Sequence, residues 1–210
     1  MVTVVGLTQG IQMVGENLPS LTADRLELLD ALRPTMPVPA RPLDLFSPKP
    51  GRLLTRTPHG DVLALLNWSD EPIALTVDAE EICGGRPATI YEVWTDRWLG
   101  VRDGRVLRVD VPPHGTSLLL LRPARRHPAF LGFNGHVSGG AILLEGEAWD
   151  AASRTLSIEF SANRAGWIGI RVPVEWVPTD GEVVQREGEH WTIPVARGAN
   201  AVVLRFERAR

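Results

Sequence analysis

Short runs of apolar and β-branched residues recur from position 53 to the C-terminus, and turn-forming residues separate them. No helical period of apolar residues recurs in this part of the chain. Such spacing is typical of antiparallel β-sandwiches, in which tight turns join short strands. The candidate strands are Leu53–Arg56, Val62–Trp68, Ile73–Val77, Ala88–Trp94, Val106–Val111, Ser117–Leu121, Ala141–Glu147, Thr155–Ser161, Trp167–Val174, His190–Pro194 and Ala201–Glu207. The sequence therefore predicts a mainly β fold with one antiparallel β-sandwich or two in tandem.

The first forty residues predict a different local structure. Met1–Gly6 and Ile11–Gly15 are apolar throughout, which favours strands whose two faces are both buried in a parallel sheet. A helix is expected to begin after Thr22, a good N-cap, and to end before Pro34, which lacks an amide donor. The apolar face of this helix would consist of Leu26, Leu28, Leu29 and Leu32. This segment is predicted to be a strand–helix unit that needs another layer to cover its apolar face.

A proline-rich segment follows the predicted helix. Its prolines are Pro34, Pro37, Pro39, Pro42, Pro48 and Pro50. This density predicts an extended, semi-rigid connector between domains. We therefore predict three regions: residues 1–41, a β-sandwich at 42–123, and a further β-sandwich or β-layer at 128–208.

Composition excludes several classes of protein. The chain has 210 residues, 44% of them hydrophobic, and a formal net charge of −3, as expected for a globular protein with a sizeable core. No basic block suggests nucleic acid, and Arg122, Arg125 and Arg126 are interpreted as a solvated cluster beside an inter-domain turn. No apolar run approaches the about 20 residues that span a bilayer, and no signal-peptide pattern is present, so a cytoplasmic location is expected.

The cysteine and histidines predict neither a disulfide nor a metal site. Cys83 is the single cysteine, and a buried structural thiol is a simpler interpretation than a nucleophile because no histidine neighbours it in sequence. The histidines are scattered, without the short spacing of zinc ligands. Gly132–Gly140 is rich in glycine but precedes a predicted strand rather than a helix, so it does not predict a phosphate site. No metal or cofactor is expected.

Seven tryptophans suggest a carbohydrate-binding hypothesis, because indole faces can stack on the apolar faces of sugar rings. Those inside strand patterns are predicted to fill the core: Trp94, Trp167 and Trp191. Those near strand ends or loops are the candidate sugar contacts: Trp98, Trp149 and Trp176.

Two groups of carboxylates could suggest independent catalysis. Asp78, Glu80 and Glu81 fall in a polar turn, and Glu145 and Glu147 alternate along one predicted strand. Alternating residues share a face of the sheet, and a solvated face explains this pair more simply than an acid–base pair does.

Several segments together resemble a known family. They are Met13–Leu18, Leu21–Leu32, Ala40–Phe46, Leu63–Asp70, Tyr91–Gly100 and Val111–Leu121. In this order they resemble the C-terminal part of the α-galactosidase (melibiase-like) retaining glycoside hydrolases, in which a (β/α)8 barrel is followed by an antiparallel β-sandwich. The resemblance covers about residues 11 to 123. It implies that residues 1–41 are a remnant of the last strand–helix units of the barrel.

The resemblance carries over no catalytic residue. Retaining glycosidases need a carboxylate nucleophile and a carboxylic acid/base roughly 5 Å apart. In this family both are aspartates on central barrel strands, for which this chain has no matching segment, so it is expected to be inactive alone. Glu16 and Asn17 stand where the family has a polar residue at the mouth of a late barrel strand, which implies substrate binding. Capping of a loop is the simpler role for them.

Three hypotheses for function follow. The leading one is a non-catalytic accessory region of an α-galactosidase-like glycoside hydrolase, which supports the barrel and contacts carbohydrate. The alternatives are a freestanding carbohydrate-binding module and one subunit of a split glycosidase. The expected partners are an oligosaccharide and either a barrel-bearing polypeptide or further copies of this chain, with neither nucleic acid nor membrane among them.

Overall fold

The computed structural model describes residues 2–9, 17–47, 51–103 and 106–209. Its helices are α1 (Val2–Thr8), α2 (Ala23–Asp30) and α3 (Ala79–Cys83), with a 3-10 turn at Leu18–Ser20. Its strands are β1 (Arg41–Pro42), β2 (Arg52–Thr57), β3 (Gly60–Leu66), β4 (Ile73–Asp78), β5 (Ala88–Glu92), β6 (Arg97–Arg102), β7 (Val106–Val111), β8 (Thr116–Pro123), β9 (Ala129–Phe133), β10 (Leu144–Asp150), β11 (Thr155–Ala162), β12 (Gly166–Arg171), β13 (Trp176–Pro178), β14 (Val184–Glu187), β15 (His190–Val195) and β16 (Gly198–Arg208).

The first β region is built around a six-stranded antiparallel sheet in the order β1-β2-β3-β8-β5-β6. β3 and β8 lie at its centre and pair from Asp61 opposite Leu121 to Leu66 opposite Thr116. A two-stranded ribbon, β4 and β7, lies beside this sheet. Both central strands are apolar on both faces, because each face of the sheet is covered by another layer.

The second β region contains two four-stranded sheets, in the orders β10-β11-β16-β13 and β14-β15-β12-β9. Every pairing is antiparallel, and β11 pairs with β16 from Thr155 opposite Arg205 to Ala162 opposite Gly198. Phenylalanines from the two sheets meet in the interior, where the ring of Phe160 lies 5.3 Å from that of Phe133. The prediction of a mainly β, antiparallel sandwich fold is confirmed.

Two hydrophobic cores lie on opposite faces of the six-stranded sheet. The aliphatic core, on the ribbon side, contains Leu54, Leu63, Leu65, Val77, Ala79, Ile82, Ala88, Ile90, Val109, Val111, Leu119 and Leu121. The shared core, on the other side, takes Leu7 and Met36 from the N-terminal segment. It takes Val62, Tyr91 and Leu120 from the sheet, with their neighbours, and the remainder from the second β region. The boundaries at 41 and 123–128 stay a prediction, and the shared core crosses both of them.

The strand predicted for Met1–Gly6 is wrong, because residues 2–8 form α1. A helix satisfies its own backbone hydrogen bonds, and it places Thr3, Gly6 and Leu7 on one buried face. Gly6 is required there, since a Cβ at this position would lie 2.7 Å from Cδ2 of Leu32. The other predicted strand, Ile11–Gly15, lies outside the described residues.

The helix predicted after Thr22 is confirmed as α2, but its leucines are not a buried face. Leu26 and Leu28 are 40% and 43% exposed. The burial comes from the turn that follows, where the Ala31 carbonyl accepts from the amide of Val137 at 2.9 Å. This turn fastens the N-terminal segment to the second β region. The longest described helix has eight residues, so no described helix could cross a membrane.

Candidate ligand-binding cleft

A cleft of about 440 Å³ opens where the two β regions meet. One wall comes from the end of the β5–β6 turn and from β6, and it carries Asp96, Arg97 and Trp98. The opposite wall comes from the β14–β15 hairpin and carries Arg186, Glu187, Gly188 and His190. We call this space the junction cleft. Its volume is in the range of small-molecule binding sites.

Trp98 supplies a rigid aromatic side to the junction cleft. It lies opposite Tyr91 in the β5–β6 pair, is half-buried, and packs against the shared core. Its indole Nε1–H donates to Oγ1 of Thr89 at 3.0 Å, which fixes the plane of the ring. Gly188 faces the ring edge, with φ +55°, and a Cβ there would lie 3.6 Å from Cζ3 of Trp98. Any larger side chain at position 188 would occupy space beside the indole.

Asp96 lies beside Trp98 and is held by a buried tyrosine. The Tyr91 hydroxyl donates to Oδ1 of Asp96 at 2.7 Å. Asp96 has φ +51°, a left-handed conformation that aspartate tolerates better than most residues. Oδ2 of Asp96 makes no hydrogen bond to the described residues, and the side chain is 29% exposed. This oxygen is therefore available to a ligand.

His190 lies behind Asp96, at the back of the cleft. Its side chain is 3% exposed, and Nε2 is 3.7 Å from Oδ1 of Asp96, too far for a hydrogen bond. This nitrogen is buried and has no hydrogen-bond partner among the described residues. Burial lowers the pKa of His190, while the nearby Asp96 opposes that shift, so the ring is mainly neutral at pH 7.

The charges around the cleft balance. Arg97 and Arg186 contribute two guanidinium groups, and Asp96 and Glu187 contribute two carboxylates. Arg186 also lies over the ring of Trp167, with its guanidinium carbon 5.4 Å from the ring centre, and donates through Nε to Thr192. The walls therefore offer donors and acceptors without a net charge.

Trp149 and Trp176 occupy a different setting, in the sheet β10-β11-β16-β13, and neither lines the junction cleft. Their rings meet edge to face at 5.1 Å, and the His127 ring stacks on Trp149 at 5.3 Å with an angle of 5° between the planes. The Arg208 guanidinium lies 4.3 Å from the centre of the Trp176 ring, and Trp176 is only 9% exposed. These two indoles pack on each other and on their neighbours, whereas Trp98 lines a cleft. The sugar contacts of all three stay a prediction.

The core placement predicted for Trp167 is wrong. This residue is 40% exposed, because β12 alternates and directs Ile168 and Ile170 into the core instead. Asn17 is exposed, and its carbonyl accepts from the amide and hydroxyl of Ser20 at 2.8 and 2.7 Å. These bonds use the backbone of Asn17 and close the 3-10 turn, so they do not test the role of its side chain, and Glu16 lies outside the described residues. The substrate role of Glu16 and Asn17 stays a prediction.

The arginine cluster predicted to be solvated contains a buried ion pair. Arg122 is 9% exposed, and its Nη2 donates to Oε2 of Glu147 at 2.6 Å. Its other nitrogens donate to the carbonyls of His59 and Phe130. Glu147 is not on the solvated face, because an extra residue between Leu144 and Gly146 in β10 breaks the alternation and turns Glu147 inward.

The other inward carboxylates also have structural partners. Glu92 accepts from the amides of Thr95 and Leu118 at 2.7 and 3.1 Å, and it is 7% exposed. Glu189 accepts from Nε of Arg171 at 2.7 Å. These contacts tie turns and strands together. Each of these carboxylates thus serves the fold.

Cys83 lines a second cleft, of about 340 Å³, together with Asp61 and two arginines, Arg56 and Arg86. Burial raises the pKa of the Cys83 thiol to about 11, and the nearby Asp61 adds to the shift. The thiol is therefore protonated at neutral pH, which favours the structural interpretation over the nucleophilic one.

Sequence reasoning found Trp98 but missed Asp96, Arg186 and His190 as its neighbours. Asp96 appeared only within the Tyr91–Gly100 segment of the family resemblance, and His190 only as the first residue of a predicted strand. No sequence spacing relates these positions, because the cleft forms only when the two β regions pack together. The glycine at position 188, before a strand, was the one local signal of a close approach.

Comparison with protein-family models places residues 54–121 in a known domain. These residues match the model of the α-galactosidase C-terminal β-sandwich domain. This stretch, about a third of the chain, is therefore similar to that β-sandwich domain. A comparison with curated proteins gave no significant match.

Solved structures of glycoside hydrolases also match. α-Galactosidase I from Mortierella vinacea is 18% identical, with 59% of this chain and 34% of that chain covered at a TM-score of 0.46. The β-L-arabinopyranosidase from Geobacillus stearothermophilus is 19% identical. The match covers 60% of this chain and 29% of that chain, with a TM-score of 0.49. The isomalto-dextranase from Arthrobacter globiformis, complexed with panose, is 16% identical. The match covers 89% of this chain and 40% of that chain, with a TM-score of 0.37. The chain spans about a third of the length of the first structures it matches.

Proposed function

We propose that this chain is a non-catalytic accessory region of an α-galactosidase-like glycoside hydrolase. The observation that carries the proposal is the match of residues 54–121 to the α-galactosidase C-terminal β-sandwich domain. In this role the chain supports a catalytic (β/α)8 barrel, carried on the same polypeptide or on a separate one, and contributes to carbohydrate contact.

The hydrogen bonds and ion pairs of the inward carboxylates support a non-catalytic role. A retaining glycosidase needs one free nucleophilic carboxylate and one carboxylic acid across a substrate-sized gap. Glu92, Glu147 and Glu189 are instead occupied by backbone amides or arginines. Freeing any of them would break a contact of the fold.

The packing of the chain favours a structural role, in which the chain holds a neighbouring barrel domain. The shared core joins the N-terminal segment, the six-stranded sheet and the second β region, which gives a rigid body rather than separate flexible modules. A rigid body can hold a neighbouring domain in a fixed orientation.

A second candidate function, a carbohydrate-binding module that acts without a barrel, is favoured by the junction cleft. Its rigid indole and balanced polar groups are features that sugar sites use. The two functions differ in the partner they require, because an accessory region needs a barrel and a freestanding module does not.

A turnover assay and a pairing assay together test the proposal. The purified chain is expected to hydrolyse no p-nitrophenyl α-galactoside, whereas the same chain is expected to raise the melting temperature of a co-expressed α-galactosidase barrel that lacks its own sandwich. Turnover that copurifies with the chain through successive columns would overturn the non-catalytic role. A barrel that neither binds the chain nor gains stability from it would favour the freestanding module instead.

A further inference from the structure

We propose that the junction cleft binds one neutral pyranose unit of an oligosaccharide, with the sugar ring against Trp98 and its hydroxyls hydrogen-bonded by Asp96 and the two wall arginines. This inference rests on the proposed carbohydrate contact and assigns it to a site. It requires both β regions, because each supplies one wall.

The aromatic wall is built before any ligand arrives. The bond from Trp98 Nε1 to Thr89 prevents the indole from rotating, and packing on the shared core supports one side of the ring. Glycine at position 188 leaves room beside the ring edge, at Cζ3. A rigid, partly apolar surface loses little conformational entropy when a sugar packs on it.

The polar groups are placed beside that ring and are incompletely satisfied. Oδ1 of Asp96 is held by Tyr91, which leaves Oδ2 for a ligand hydroxyl. Behind it, the buried Nε2 of His190 has no hydrogen-bond partner among the described residues. The 3.7 Å gap between Nε2 of His190 and Oδ1 of Asp96 is too narrow to hold a hydroxyl oxygen, so only a small movement of Asp96 would close it. A ligand hydroxyl therefore has Oδ2 of Asp96 as its acceptor in the cleft, with His190 behind that carboxylate.

The balance of charge selects the class of ligand. Two guanidiniums and two carboxylates around a neutral imidazole give no net attraction for a phosphate or a divalent cation. Vicinal hydroxyls, by contrast, accept from arginine and donate to carboxylate at once. A neutral polyhydroxylated ring meets both the aromatic and the polar demands of the cleft.

Binding can be measured on the full chain by nuclear magnetic resonance. The probe is the indole N–H signal of Trp98, assigned with Trp98→Phe, during titration with galactose, glucose and mannose and then with inorganic phosphate and calcium chloride. At least one neutral sugar is expected to shift this signal with millimolar affinity, and phosphate and calcium are expected to leave it in place. A signal that moves with phosphate or calcium alone, or with nothing, would overturn the proposal.

Two variants test whether the sugar binds in the junction cleft, and both keep Trp98. Asp96→Asn removes the acceptor and keeps the shape, and Gly188→Asn fills the space beside Trp98 with a residue that tolerates φ +55°. Each is expected to weaken binding about tenfold or more, whereas the matched control Trp68→Ala, at a 53% exposed tryptophan outside the cleft, leaves binding unchanged. Sugar binding that survives both variants would place the sugar elsewhere and refute the site while leaving the accessory role intact. That role fails separately, on turnover or on barrel pairing.

Discussion

The two faces of the six-stranded sheet are packed in different ways. On one face, the aliphatic core draws every member from residues 54 to 121, the same stretch that matches the family model. On the other face, the shared core draws on the N-terminal segment and on the second β region, and it contains the large aromatic side chains Tyr91, Phe130, Phe133 and Phe160. The stretch that matches the family model thus forms one core by itself, and the opposite face of the sheet joins that stretch to the rest of the chain.

The two faces also differ in how closely their shapes must fit. Aliphatic side chains of similar size can replace one another at modest cost. In the shared core, by contrast, aromatic rings pack directly against glycines. A Cβ at Gly132 would lie 2.1 Å from Cδ1 of Tyr91. It also encloses polar groups such as Arg122 and His136, which must keep their partners. Substitutions should therefore be tolerated less well on the shared side.

The largest effect is expected from Arg122→Ala, which removes the guanidinium from Glu147 and from two carbonyls and leaves Glu147 only the amide of Phe130. Breaking a buried ion pair costs about 3–5 kcal/mol, and the free energy of unfolding should fall by about 4 kcal/mol in urea titration. The matched control is Arg108→Ala, in an exposed pair with Asp110 at 3.8 Å, where a change within about 0.5 kcal/mol is expected. Similar losses in both variants would show that the junction between the β regions has no special role.

A smaller loss is expected from Gly132→Ala, since the added methyl group collides with the Tyr91 ring. Overpacking of this kind costs about 3 kcal/mol. The displaced ring would also carry its hydroxyl away from Asp96, so sugar affinity should fall together with stability. Gly146→Ala is the control, because the Cβ there meets only the flexible side chain of Glu159, at 3.3 Å. An unchanged melting temperature for Gly132→Ala would contradict the close fit.

The smallest effect is a pH dependence on the shared side. Burial lowers the pKa of His136 from 6.5 to about 4, while its bond to the Pro34 carbonyl opposes the shift. Between these values the unfolded chain binds more protons than the folded one, so stability falls as the pH falls from 6.5 toward 4. From pH 7 to pH 5 this residue should remove about 2 kcal/mol of unfolding free energy.

Urea titrations at several pH values would measure that loss, and His136→Gln is the matched variant. It cannot titrate, so its stability should change less over the same range, and the remaining slope should include His190, whose pKa is lowered in the same direction. Equal slopes in the two proteins would contradict a neutral, buried His136.

Most of the β fold could be predicted from the sequence, because its signals are local. The apolar runs at Val62 and Ser117 and the turn residues between strands lie near the observed β3 and β8. Five strands were missed: β1, β6, β9, β13 and β14. Arg97–Arg102 alternates poorly, Ala129–Phe133 is short and contains a glycine, and the other three have only two to four residues. The run at Met1–Gly6 was misread because an apolar stretch of that length fits a buried helix as well as a strand.

The cleft could be predicted only in part, for a physical reason. Trp98 was identifiable because an indole near a strand end has few roles. Asp96 and His190 are of interest because Oδ1 of Asp96 lies 3.7 Å from Nε2 of His190. That distance is set by how the two β regions pack. The inward turn of Glu147 likewise depends on one extra residue in β10, which hydrophobic alternation does not reveal.

The separation of Trp98 and His190 along the chain has a consequence for biosynthesis. During translation, the wall that carries Trp98 leaves the ribosome well before β15 has been made, so a nascent chain holds half of the cleft and cannot retain a ligand. A ligand that binds only the finished cleft stabilises the complete molecule by mass action and does nothing for a chain that stops short of β15. Ligand-dependent stabilisation would therefore be confined to chains that extend through β15.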